Sequence, residues 1–242
     1  MTSHKESTIK NYLALMEEAK SRFFVINNTY QNEHKYPPAI VSEICYLQFR
    51  LLCEIIALGC LLVHGDIPHP KALQKAYNPT KIMKHLEKLN PHFYPQPIKH
   101  TLKDNKHELA ATPNIPHLSK SDLIKLWNKS GDLLHRAPLT KLGKPPRTDV
   151  QKFSDIFEWS GKLTGLLNSH WITLTENQRG MVVSLMSKET NKASASVFNF
   201  NSPDKIEQVQ TYNVLIGGHH TYFYFAWSFL SLFFGISLLK WQ

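Results

Sequence analysis

Two charged side chains stand inside the most apolar stretch of this 242-residue chain, and their spacing suits either a polar network or a catalytic pair. Arg50 and Glu54 are four residues apart within residues 40–64, so on a helix they are neighbours and can form an ion pair. An ionised pair in an apolar helix is costly unless a second helix completes its hydrogen bonds. We therefore expect polar partners elsewhere in the chain.

Residues 40–64 predict one long central helix, because two prolines precede them and Gly65 follows them. Apolar side chains run almost all the way round this helix, which is typical of a helix enclosed by its neighbours. Its length would also span a membrane. However, a charge at mid-bilayer costs at least a few kcal/mol, and Arg50 and Glu54 both lie near the middle. The pattern therefore favours a core helix.

A second predicted helix, residues 120–136, carries the partners that Arg50 and Glu54 need. Gly131 lies in its interior, where a glycine costs about 1 kcal/mol unless another element must approach closely. Ser130 precedes it, so two small residues adjoin. We predict that this helix crosses the central helix at Ser130 and Gly131, close to the two charges.

The crossing would bring four polar side chains together. The predicted network consists of Arg50, Glu54, Asp132 and His135. Two interpretations stay open: the network fixes the register of two helices, or it performs chemistry. If it is catalytic, the candidate residues are His135, Arg136 and Arg50.

The Arg-x-x-x-Glu spacing at 50–54 and the sequence GDLLHR at 131–136 together resemble the HEPN superfamily of small helical bundles. The resemblance covers about residues 7–170, with residues 66–118 as an insertion. It implies a helical bundle, often dimeric, that cleaves RNA in defence or toxin–antitoxin systems, or that binds nucleotides or nucleic acid. In the ribonuclease case, a His acts as general base and an Arg stabilises the phosphorane charge without metal. The nuclease signature of the group places four to six residues between an Arg and a following His on one helix. No Arg of this chain is followed by a His at that spacing, and His135 precedes Arg136.

The net charge of +9 points to nucleic acid, an acidic lipid surface or an acidic protein as partner. Residues 69–106 are the most basic part, with eight Lys against one Glu and one Asp. This stretch is either a contact surface for RNA or nucleotide or a solubilising insertion. The predicted basic binding face consists of Lys81, Lys84, Lys88, Lys99 and Lys103.

The predicted fold class is mainly α: a HEPN-like helical bundle with a small β-hairpin insertion, a short β-meander appendage and a hydrophobic C-terminal helix. The hairpin and the meander follow from alternating apolar and polar residues. Residues 201–213 are polar and predict a linker. The predicted domains are the bundle at 1–170 with its basic insertion at about 66–118, the β appendage at 171–202, and the linker and tail at 203–242.

The tail contains eighteen residues without a charge, 222–239. As a helix they would extend about 27 Å, close to the roughly 30 Å of bilayer hydrocarbon. We predict a transmembrane helix at 221–239; the alternatives are a hydrophobic helix packed on the core and a chain end without selected structure. The N-terminus has no secretory signal, so we expect a cytoplasmic main domain that is anchored to the membrane.

Several chemistries find no motif in the sequence. There is no P-loop, dinucleotide-binding glycine pattern, nucleophile elbow or zinc-binding cysteine pairs, and we expect no metal and no cofactor. The three cysteines are expected to be reduced core thiols. Three hypotheses remain: a binding module for RNA or nucleotide, for which the resemblance implies a homodimer; a metal-independent ribonuclease; and a membrane-anchored structural or adaptor protein without ligand chemistry.

Overall fold

The computed structural model describes residues 2–65, 78–103, 106–112, 114–134, 149–174, 179–187, 190–202 and 205–213. These residues form a mainly helical protein with a small antiparallel sheet, which confirms the predicted class at this level. The helices are α1 (Thr2–Gln31), α2 (Pro38–Val63), α3 (Pro79–Leu89), α4 (Lys120–Leu134) and α5 (Asp149–Leu167). The strands are β1 (Gln96–Lys103), β2 (Lys106–Ala111), β3 (Ser169–Thr173), β4 (Arg179–Ser184), β5 (Ser194–Ser202) and β6 (Lys205–Asn213).

Helix α2 lies at the centre of the helical layer and packs against all four other helices. Among the residues described above, it is the one helix that is long and apolar enough to cross a membrane. Most of its apolar window, 61%, is buried inside the protein, so packing accounts for its composition. This agrees with the core helix that the two charges predicted.

Helix α1 runs antiparallel to α2, to which it is joined by a short connection. One close contact fixes their approach. The ring of the fully buried Tyr12 lies on Gly59, where an added Cβ would come within 2.9 Å of the Tyr12 Cε2 atom. The single glycine inside α2 therefore makes room for an aromatic ring of its neighbour.

The six strands form one antiparallel sheet in the order β2-β1-β3-β4-β5-β6. Gln96 and Pro97 of β1 pair with Trp171 and His170 of β3, which joins the hairpin to the meander. The two were predicted as separate features; the sequence of each shows its own alternation but not their pairing. The predicted linker at 201–213 is also wrong, because β6 pairs with β5 along most of its length.

The sheet packs on the helices through its buried face, and a buried hydrogen bond joins the two layers. The Tyr12 hydroxyl of α1 lies 2.8 Å from Nε2 of the buried His170 in β3. The domain boundary that we predicted after residue 170 thus falls inside a strand whose side chains belong to the common core. The predicted C-terminal helix at 221–239 lies outside the described residues.

Candidate functional site

The two charges of α2 meet α4 where the sequence analysis expected a crossing. Arg50 Nε lies 3.4 Å from Glu54 Oε1, one helical turn away. An added Cβ on Gly131 of α4 would lie 2.9 Å from Arg50 Nη1, so the guanidinium fills the space that the missing side chain leaves. Ser130, beside it, is buried and its hydroxyl donates to the Leu126 carbonyl at 2.8 Å. The small pair on α4 therefore faces the ion pair on α2.

The partner that completes this site is Trp127. Its indole Nε1–H donates to Glu54 Oε1 at 3.0 Å. The Arg50 Cζ atom lies 4.4 Å from the centre of its ring, a cation–π arrangement. Trp127 was not among the polar partners predicted from the sequence, because its ring places it with the apolar residues of the helix. One tryptophan one turn before the glycine thus binds both members of the ion pair.

Of the other two predicted network members, only Asp132 lies in the described part of the chain, and it does not join the cluster. Asp132 is exposed. His135 and Arg136 follow the last residue of α4 and lie outside the described part of the chain. Within that part, the network consists of Arg50, Glu54 and Trp127.

The site is half-open. The Arg50 and Glu54 side chains keep 24% and 20% of their accessible surface, so water reaches both. The guanidinium directs its Nε–H toward Glu54, places its face over Trp127, and has Nη1 beside Gly131. Such a group can bind an anionic oxygen or stabilise a developing negative charge. The carboxylate beside it, Glu54, is already engaged by Arg50 and by the Trp127 indole N–H.

The predicted basic face is a separate feature on α3. Lys81, Lys84 and Lys88 are all exposed and share one side of the helix. The opposite side is anchored in the core by Ile82, Met83 and Leu86. Among the described residues, none of these three lysines forms an ion pair, and the acid of this helix, Glu87, pairs with Lys120 of α4. The lysine stripe of α3 therefore carries an uncompensated charge on a rigid support.

The other two predicted basic residues lie on β1. Lys99 is exposed, and the side chain of Lys103 is outside the described part of the structure. A further cluster that the sequence analysis missed surrounds the buried Trp159 of α5. The ammonium groups of Lys125, Lys129 and Lys162 lie 6.0, 5.9 and 4.8 Å from its ring. Two of them are neutralised, by Asp155 at 2.7 Å and Glu158 at 2.8 Å, so this cluster is a weaker anion site than the α3 stripe.

Two buried histidines hold elements together rather than face a cleft. His64 at the end of α2 has Nδ1 2.8 Å from the Cys60 carbonyl oxygen, and Nε2 3.0 Å from the Asn90 amide nitrogen. His170 has Nδ1 3.2 Å from the Leu167 carbonyl oxygen. Burial lowers the pKa of His170 from 6.5 to about 4, partly opposed by this hydrogen bond. Both rings are built into the core, and neither belongs to the Arg50 site.

The three thiols, Cys45, Cys53 and Cys60, are free and buried in α2. Burial raises the pKa of Cys45 to about 12 and raises those of the other two further. Thiols of this kind are inert as nucleophiles. In the described residues no group of three or more His, Cys, Asp or Glu side chains is arranged to hold a metal ion.

Comparison of the chain with protein-family models, with curated proteins and with solved structures finds no match. The site must therefore be interpreted from its own geometry. That geometry is a mainly helical core with a lysine stripe on α3 and a half-open Arg–Glu–Trp cluster on α2 and α4.

Proposed function

We propose that this protein is a HEPN-like helical module that binds nucleic acid or nucleotide through the lysine stripe of α3. The observation that carries the proposal is the arrangement of Lys81, Lys84 and Lys88, which are exposed, unpaired among the described residues and held on one side of an anchored helix. The chain's charge of +9 adds a long-range attraction for polyanions.

The spacing of the stripe suits a phosphate backbone. Lys84 and Lys88 are four residues apart, or about 6 Å along the helix axis, and Lys81 extends the stripe to about 10 Å. Adjacent backbone phosphates lie at comparable distances, and lysine binds each as a point charge. A stripe of this kind binds phosphates without reading bases, so the proposal predicts weak dependence on nucleotide sequence.

Salt dependence tests the proposal directly. Binding of a fluorescent single-stranded RNA to the full chain is measured by anisotropy between 50 and 200 mM salt, and log affinity is plotted against log salt. The triple variant Lys81→Gln, Lys84→Gln, Lys88→Gln removes up to three phosphate contacts. We expect the slope to fall in magnitude by about 2, since each contact on a single strand contributes about 0.7.

A matched control removes the same charge from other elements. Lys10, Lys35 and Lys125 are exposed and lie on α1, on the short helical turn after it and on α4. Their triple Gln variant has the same net charge as the α3 variant. We expect the salt-dependence slope of this control variant to lie within about 0.5 of the parent's slope. Equal slopes for the two variants, or no RNA binding at 50 mM salt, would reject the α3 stripe as the binding face.

A metal-independent ribonuclease is a second candidate, and one observation favours it. Arg50 lies against Gly131 in the last turn of α4, and His135 follows four residues later in the sequence. In this candidate His135 is the general base and Arg50 or Arg136 stabilises the phosphorane. The test is cleavage of labelled RNA in EDTA by the parent and by His135→Ala; intact RNA with the parent, or equal rates, would remove it.

The membrane tether is a separate proposal about residues 221–239. Its support is their length and lack of charge. We expect the full chain to sediment with membranes and to resist carbonate extraction. A chain ending at residue 213 is expected in the soluble fraction. If the two fractionate alike, the tether is rejected, and the membrane-anchored adaptor hypothesis is rejected with it. Membrane fractionation of the full chain together with no RNA binding by the α3 stripe would favour the adaptor.

A further inference from the structure

One face of α2, between α1 and α4, is not covered by any other element in the described part of the chain. Three large apolar side chains on it are exposed: Ile40 at 40%, Leu47 at 43% and Leu58 at 37%. Ile44, Leu51 and Leu61 lie on the same face and are half-buried. The seam is defined here as these six residues together with Glu54. An exposed apolar stripe of this length is unusual on the surface of a monomer and marks an interaction site.

The seam has the spacing of a coiled coil. Its residues follow one another at steps of four and three: 40, 44, 47, 51, 54, 58 and 61. This is an unbroken a/d pattern over three heptads and about 32 Å of helix. A stripe at this spacing fits a second straight helix, which inserts its own side chains between successive turns.

The charges of α2 indicate which second helix can pack against the seam. Arg50 and Glu54 lie on either side of the midpoint of the seam, one positive and one negative. When the seam is paired with a copy of itself in the antiparallel direction, a and d positions oppose each other. Ile44 then faces Leu61 of the second copy, and Leu47 faces its Leu58. In the same register, Arg50 of each copy lies beside Glu54 of the other.

We propose that the α2 seam is an antiparallel self-association surface, with a second copy of this chain as its occupant. Self-pairing packs Ile44, Leu47, Leu58 and Leu61 of the two copies against one another and gives each of the two central charges an additional opposite charge. The chain's own uncharged segment, 222–239, would cover the apolar residues but would leave Arg50 and Glu54 without new partners. Charge complementarity therefore favours the second copy. The inference is independent of the α3 lysine stripe.

A charge-swap experiment tests the pairing itself. The full chain is studied in a mild detergent by light scattering and by cross-linking. Arg50→Glu places two acids at the centre of the seam, and Glu54→Arg places two bases there. Each variant alone is expected to lose the dimer, because like charges then oppose each other. A mixture of the two is expected to recover a dimer that contains one chain of each kind.

Recovery of the dimer on mixing would show that the charges pair between chains, because mixing two variants cannot restore an ion pair within one chain. Because both substitutions touch the Trp127 contact, Leu47→Lys provides a second variant at an exposed position. It is expected to give monomers with an unchanged circular dichroism spectrum. Phe157→Lys on α5 is its matched control, equally exposed at 45% but outside the seam, and is expected to remain dimeric.

Cysteine cross-linking fixes the direction of pairing. Leu47→Cys chains mixed with Leu58→Cys chains are expected to form a disulfide-linked pair, whereas neither forms one alone. The native thiols are buried and do not compete. A parent protein with the mass of one chain at every concentration would overturn the proposal. So would a disulfide between Leu58→Cys and Ser228→Cys within one chain, because it would assign the seam to the tail.

Discussion

The core histidine of β3 makes the stability of the fold depend on pH in a predictable direction. His170 is fully buried, accepts a hydrogen bond from the Tyr12 hydroxyl at 2.8 Å and has Nδ1 directed to the Leu167 carbonyl. This arrangement suits the neutral ring with its proton on Nδ1. A protonated ring would carry a buried charge with no acid beside it among the described contacts. The native state therefore disfavours protonation.

The magnitude follows from the difference in pKa between the two states. The pKa of His170 is about 4 in the folded chain and close to 6.5 when it is unfolded. Between these values the unfolded chain binds the proton and the folded chain does not, so stability falls as the pH is lowered through this window. Each pH unit is worth about 1.4 kcal/mol, and between pH 7 and pH 4.5 the expected loss is about 2 kcal/mol.

The assay is urea unfolding of the full chain at pH 7 and pH 4.5, compared with His170→Gln. The variant is expected to be less stable at pH 7, because Tyr12 and Leu167 lose a partner that fits. It should also lose less stability than the parent between the two pH values, by about 2 kcal/mol. If parent and variant respond equally to acid, the pH dependence comes from other groups and the reasoning about His170 is wrong.

Three further outcomes follow from the contacts at α2, α4 and α5. Gly165→Ala should destabilise the fold by several kcal/mol, because the added Cβ would lie 2.0 Å from the Pro116 carbonyl oxygen. Gly131→Ala should change stability by less than about 1 kcal/mol, because its added Cβ meets only the movable end of the Arg50 side chain. Thermal unfolding of the two variants measures the difference. Trp127→Phe should lower the free energy of unfolding in urea by about 1–2 kcal/mol. Glu54 loses the indole N–H that donates to it, and phenylalanine offers the Arg50 guanidinium a weaker cation–π partner than tryptophan. Cys45 and the other two thiols should react with iodoacetamide only after unfolding, as mass spectrometry will detect.

Local patterns in the sequence predicted most elements of this fold, and failed where the signal is not local. The prolines before α2, its apolar run and Gly65 predicted this helix, and residues 120–136 predicted α4. The pairing of β1 with β3 joins residues more than seventy positions apart, and no alternation pattern specifies a partner. Strand β6 was missed because its edge position tolerates polar residues on both faces, so its sequence resembles a linker.

The candidate site was predicted at the level of its backbone but not of its chemistry. Gly131 was expected to mark a close crossing near Arg50, and the guanidinium does fill the space beside it. The expected partners were titratable residues, whereas the partner found is Trp127. Hydrophobic periodicity counts tryptophan as an apolar residue, so the pattern does not reveal that its indole N–H can donate a hydrogen bond. Its position one turn before the glycine was the available signal.

The coupling energy between Arg50 and Glu54 distinguishes a structural network within the chain from a recognition role on its surface. Both side chains keep about a fifth of their surface, and ion pairs with this exposure contribute about 0–1 kcal/mol. A double-mutant cycle with Arg50→Ala and Glu54→Ala is therefore expected to give a coupling energy below about 1 kcal/mol in the monomeric Leu47→Lys background. In the parent, pairing between chains should raise the coupling. A coupling of about 3 kcal/mol in the monomer would instead mean that the pair is a sealed structural network, because only desolvated charges interact that strongly. A weak coupling assigns the two charges to recognition, since an exposed pair on an apolar seam sets register and direction more than it adds stability.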